Sequence, residues 1–108
     1  VKEIILYNLK ETVTEHQYEE YCRSKKGPFF AGLPSCRNFT LVKIAGSLSG
    51  QVPYRYIGIV DISSPSEWEQ DARSPAFQDF FKEWREMVAE FHVLWGEEVG
   101  VWQSGKGS

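Results

Sequence analysis

The chain opens with apolar residues on both parities. Ile4 and Leu6 alternate with Ile5, Tyr7 and Leu9, the pattern of a strand covered on both sides. Thr14 stands three residues before Gln17, a capping-box spacing, and Tyr18, Tyr21 and Cys22 follow at helical intervals, which predicts a helix over 15–24. Lys25-Lys26-Gly27-Pro28 is expected to stop it, leaving a connector rich in Gly, Pro and aromatics over 27–35. Residues 38–44 and 54–62 read as two strands joined by a hairpin loop at 46–51. Ser64-Pro65-Ser66-Glu67 then supplies an N-cap, a proline in the first turn and a glutamate at the third position. Pro75 should break or restart that helix, because it disfavours helical geometry at Ser74 and removes a donor. Beyond it, Phe77, Phe80, Phe81, Trp84 and Val88 form an apolar helical stripe, and 91–95 predicts a last strand with a short extension at 99–102.

The order β-α-β-β-α-β, with right-handed crossovers, defines an α+β fold: a ferredoxin-like plait with a four-stranded antiparallel sheet and both helices on one face. Ile4 and Leu6 cannot share the helix side with Ile5 and Tyr7, so the helix-free face is also apolar and should meet a second sheet. A symmetric homodimer, closing a dimeric α/β barrel, is the economical solution. One domain is expected over 1–103, with 104–108 as a flexible tail.

Composition narrows the functions. At 108 residues, 42% of them hydrophobic, the chain suits one globular domain and excludes a separate nucleotide-binding module. A net charge of -3 offers no basic field, so no nucleic-acid partner is expected. No apolar run approaches the roughly 20 residues that span a bilayer, and the start reads as a strand rather than a signal segment; no membrane partner and a cytoplasmic location are expected. Cys22 and Cys36 form no CxxC pair, and His16 and His92 lie far apart without clustered carboxylates, so neither a disulfide nor a metal is indicated.

Val1-Lys2-Glu3-Ile4-Ile5, the Thr14-Glu15 helix start and Ser74-Pro75-Ala76-Phe77 after a short helical piece together resemble the dimeric α/β barrel (Dabb) superfamily over nearly the whole chain. Size and aromatic richness are most similar to its REDY-like group, typified by HapK and associated with prodigiosin-type pigment and related antibiotic pathways. The resemblance implies two plaits packed sheet to sheet, with a ligand cavity in each subunit between sheet and helices. Superfamily members include polyketide cyclases, cofactor-free monooxygenases and proteins without known activity. A plant polyketide cyclase of the superfamily carries histidines where this chain has Glu3 and Phe77, and a tyrosine at Asp71. The cavity is thus implied, but not that cyclase's acid-base set.

Glu3 shares the parity of Ile5, Tyr7 and Leu9, which puts a carboxyl at the mouth of an apolar pocket, where desolvation would raise its pKa toward that of a neutral-pH base. The bland alternative is a solvated strand-end Glu. Asp71, one turn before Pro75, is a second candidate, although it also suits an exposed acidic helix face with Glu67 and Glu69. Tyr7 and Tyr56 offer phenols to a carbonyl or enolate oxygen, or serve as core. His92 reaches the cavity on one parity and the dimer face on the other. Arg73 suits a carboxylate or phosphate, or a neighbouring acid. Phe29 and Phe30 suggest an aromatic lid, and Ile5, Phe77, Phe81 and Trp84 an apolar lining.

The leading expectation is a cofactor-free enzyme of secondary metabolism that cyclises, dehydrates or aromatises a hydrophobic aromatic or polyketide-like intermediate. Glu3 would be the base, with Asp71, Tyr7 and His92 as further catalytic candidates. The alternatives are a carrier or chaperone of the same intermediate and a cofactor-independent monooxygenase.

Overall fold

The computed structural model describes residues 1–105; of the expected tail at 104–108, only Ser104 and Gly105 lie within the described part. The elements are β1 (Lys2–Leu9), α1 (Glu15–Tyr21), a π-helical turn (Cys22–Lys26), α2 (Gly27–Ala31), β2 (Cys36–Lys43), β3 (Tyr56–Ile62), α3 (Pro65–Ala72), α4 (Pro75–Arg85) and β4 (Val88–Gly96). The strands form one antiparallel sheet in the order β2-β3-β1-β4, the ferredoxin-like arrangement.

Local signals fix most of the boundaries. Thr14 accepts from the Gln17 N–H while Gln17 Oε1 accepts from the Thr14 N–H, so both halves of the capping box are made. Ser64 caps α3 and Ser74 caps α4, each with a proline in the first turn, and Pro75 divides the second crossover as expected.

The first crossover departs from expectation. Lys25-Lys26-Gly27-Pro28 does not stop the helix, which continues through the π turn into α2, so 27–31 is helical rather than connector. Buried side chains explain the wider turn, because Tyr18, Cys22, Lys26 and Phe30 recur every four residues. In an ideal α-helix each such step overshoots by about 40°, and three would carry Phe30 about 120° off the face. The π turn, with its Gly27 N–H to Cys22 C=O bond, absorbs that drift. A Cβ at Gly27 would stand 3.0 Å from the same carbonyl, so glycine fits there.

β4 begins earlier than expected, and Val88 belongs to it rather than to the helical stripe. The β1–β4 register shifts between Leu6 and Asn8, where Glu90 adopts φ 49°, the left-handed conformation of a bulge.

The register sorts the two faces. Glu3, Ile5 and Tyr7 point under the helices, together with Tyr56, Val60, Ile62 and Val93. Ile4, Leu6, Ile57 and Ile59 lie on the other face with Val42 and Leu94, which are 41% and 48% exposed. The helix-free face is therefore a broad apolar surface.

Candidate functional site

Between the sheet and the helices lies a cavity of about 220 Å³ with an almost wholly apolar wall. The sheet contributes Glu3, Ile5, Val93 and Trp95; the crossovers add Lys26 and Phe30 from one side and Trp68, Phe77, Phe81 and Trp84 from the other. The volume is below the usual range for drug-sized ligands, so a compact ring system fits it, or a longer molecule that emerges past Trp95, which is 66% exposed.

Glu3 sits between Val60 and Trp95 in the sheet register and is only 6% exposed. Removal from water pushes its carboxyl up to about 7, against a smaller opposing pull from the Trp68 indole N–H. It is thus a carboxyl that changes charge near neutral pH at the rim of an apolar chamber.

The second polar group in the lining is Lys26, which sequence reasoning took for a helix stop. It is 1% exposed, and its Nζ donates to Tyr7 Oη at 3.2 Å and Tyr18 Oη at 3.0 Å. The rings of Tyr7, Trp84, Phe39 and Tyr18 surround the ammonium at 4.9 to 5.7 Å from their centroids. Trp84 Nε1 donates to Tyr18 Oη at 2.9 Å, and the two phenol oxygens lie 2.5 Å apart. Burial lowers Lys26 to about 8 and pushes both phenols well above their ordinary value. The one signal in the sequence was the four-residue spacing from Tyr18 to Phe30.

Glu3 and Lys26 occupy different parts of the chamber. β1 rises about 13 Å from Glu3 to Tyr7, the residue that Lys26 touches, and each group is shifted by its own desolvation rather than by the other's charge.

Of the remaining candidates, Ile5, Phe30, Phe77, Phe81 and Trp84 line the cavity. Tyr7 lies behind the wall, fully buried, against Lys26 and Trp84, which line the chamber. Asp71 is not at the mouth: its carboxylate accepts from the Ser35 N–H at 2.9 Å and the Ser35 hydroxyl at 2.5 Å, tying α3 to the loop before β2. His92 is opposite Leu6 on the helix-free face, in edge contact with Tyr54, because the bulge at Glu90 sets that parity. Arg73 is exposed and paired with Glu69. Tyr56 donates to Glu19 at 2.9 Å in a neighbouring groove. Phe29 and Phe30 are no lid, since α2 packs them: Phe29, which is not part of the lining, stacks behind Phe80, and Phe30 stacks on Phe39. Among the described residues no group of three His, Cys, Asp or Glu side chains is arranged to hold a metal ion, and both cysteines are free thiols.

This architecture is the ferredoxin-like fold of Dabb proteins. The chain belongs to the REDY-like HapK family, which matches residues 1–99. HapK from Hahella chejuensis superposes with a TM-score of 0.74 at 19% identity, over 97% of this chain and 99% of that one. A hydroxynitrile lyase from Passiflora edulis gives 0.75 at 15% identity, over 86% and 87% of the two chains. SnoaB, a cofactor-independent oxygenase from Streptomyces nogalater, gives 0.69 at 13% identity, over 91% and 93%. No curated protein matches the sequence. The fold thus includes small-molecule enzymes among its members. No helix among the described residues is long and apolar enough to cross a membrane.

Proposed function

We propose that this protein is a cofactor-free acid-base enzyme of secondary metabolism that promotes cyclisation, dehydration or aromatisation of a compact hydrophobic aromatic or polyketide-like intermediate. The observation that carries the reading is the Glu3 carboxyl, buried against aromatic walls and raised to about 7. A base with that affinity is partly ionised at neutral pH, takes a proton from an activated C–H or O–H, and returns it as an acid in the next step. The aromatic lining holds the substrate folded while the proton moves. Asp71 and His92 have no part in this reading.

The working unit is proposed to be a cytoplasmic homodimer. The apolar helix-free face supports the dimer, because a monomer would leave Ile4, Leu6, Ile57, Val42 and Leu94 beside water. Native mass spectrometry of gently purified protein tests both parts. It should show a species near twice 12.4 kDa carrying an aromatic small molecule that denaturation releases. That compound, or its chemical precursor, is then offered to wild type and Glu3→Gln. Equal turnover by both would reject Glu3 as the base, and binding without turnover by either would make the protein a carrier. A monomer at micromolar concentration would remove the dimer.

A further inference from the structure

The hydrogen-bond cluster around Lys26 does not balance within the protein. The ammonium brings three protons, the phenols of Tyr7 and Tyr18 one each, and the Trp84 indole one, whereas the two phenol oxygens accept two each. Donors therefore exceed acceptors by two, and Cys22, which also faces the cluster, adds only a weak sulfur acceptor together with an S–H donor of its own. Tyr18 Oη accepts from Trp84 and Lys26, which commits its own proton to Tyr7 Oη; Tyr7 Oη, accepting also from Lys26, is then full. One Nζ proton and the Tyr7 proton are left over. Among the described residues the ammonium also has no carboxylate partner; it lies among four aromatic rings, and Lys26 is one of the residues that line the cavity. A buried charge without a counter-charge is costly, and an excess of donors calls for an acceptor.

We infer that Lys26, backed by Tyr7, Tyr18 and Trp84, is an oxyanion subsite in the cavity wall, taking a ligand that presents a carboxylate, phenolate or enolate oxygen on an apolar ring. An anionic oxygen against Nζ supplies the missing charge and at least one missing acceptor. Above about pH 8 the amine of the empty site is neutral, which relieves most of the excess, because it loses one donor and its lone pair accepts the Tyr7 proton in place of the bond that Nζ donated to Tyr7. Ligand binding and protonation of Lys26 are therefore coupled. The inference rests on the cavity of the preceding reading and assigns the substrate a class: an aromatic acid, phenol or enolisable ketone, held by its oxygen at Lys26.

The test uses a matched pair of probes, 2-naphthoate and neutral 2-naphthamide, titrated by calorimetry. At pH 6 Glu3 is largely protonated and Lys26 largely charged, and naphthoate should bind roughly ten- to a hundredfold more tightly than the amide. Lys26→Met should bring the two affinities together while still binding the amide. Equal affinities in wild type, or a preference that survives in Lys26→Met, would overturn the subsite.

A second measurement needs no change at Lys26. The titratable groups that face it are Tyr7 on β1, Tyr18 on α1 and Cys22 in the π turn, all pushed toward their protonated forms, with Glu3 elsewhere in the cavity. In Glu3→Gln at pH 9, naphthoate binding measured in buffers of different ionisation enthalpy should take up close to one proton, and at pH 6 almost none. No uptake at pH 9 would overturn the inference. If neither probe binds at all, the cavity reading falls with it, whereas equal binding of both removes only the oxyanion subsite.

Discussion

Glu3→Gln should flatten the dependence of stability on pH between about 4.5 and 7, and should make the protein more stable than wild type above that window. Below the carboxyl's ordinary value of 4.5, folded and unfolded chains both carry the proton and Glu3 costs nothing. As the pH rises toward 7 the unfolded chain releases it while the buried carboxyl keeps it, so wild-type stability falls with pH. Above 7 the charged group is buried too, and the loss stays constant. A shift from 4.5 to about 7 corresponds to roughly 3 kcal/mol, a large share of a small domain's stability. Urea denaturation at pH 4.5 and pH 8 measures it: the variant should match wild type at the first and exceed it at the second. An unchanged slope would show that Glu3 is solvated. On the proposed acid-base function, the same variant should lose on the order of a hundredfold or more in turnover of the substrate. Gained stability together with lost activity is what distinguishes a group kept for chemistry from one kept for packing.

The second large effect is at Trp84. The residue is 3% exposed, meets Tyr7 edge-on at 5.2 Å and Phe91 at 5.4 Å, and carries the Lys26 ammonium over its ring. Trp84→Ala should cost about 3–5 kcal/mol, the range for truncating a buried aromatic. The loss is larger than area alone implies, because Tyr18 Oη also loses the indole N–H that it accepts. Trp84→Phe separates the parts, keeping a ring against Tyr7 while removing the donor, and should fall between. Thermal or urea unfolding reads both. A cost below about 1 kcal/mol for Trp84→Ala would mean that the wall between core and cavity is not packed as described.

The fold was legible where a local rule and the tertiary structure agreed. The two-parity apolar pattern of β1, the Thr14–Gln17 box, the Ser64 cap and the break at Ser74-Pro75 each express short-range chemistry that survives in the folded chain. The first crossover was misread because Lys25-Lys26-Gly27-Pro28 carries two strong punctuation signals. Gly27 and Pro28 instead fall in the first turn of α2, where proline lacks no needed donor.

The site was half legible for a related reason. Glu3 follows from strand parity alone. Lys26 does not, since what makes a buried lysine tolerable here is four rings, two of them phenols, drawn from β1, α1, β2 and α4, and only the fold brings those together. Asp71 was misplaced, and the face of His92 stayed open, through degrees of freedom that a pattern does not carry: a side chain reaching back to Ser35, and a bulge at Glu90 that sets the parity of the strand beyond it.

The π turn is the mark of one extra residue in an otherwise regular helix. An α-helix of unchanged length would carry Lys26 about 80° and Phe30 about 120° away from the direction of Tyr18. Losing one residue between 22 and 26 would restore the ordinary α repeat and bring both back to within about 20° of it. The presentation of Lys26 is therefore tolerant of a change of length at that one place. A descendant of this chain one residue shorter there would keep the sheet, Glu3 and the chamber, and meet the same class of ligand.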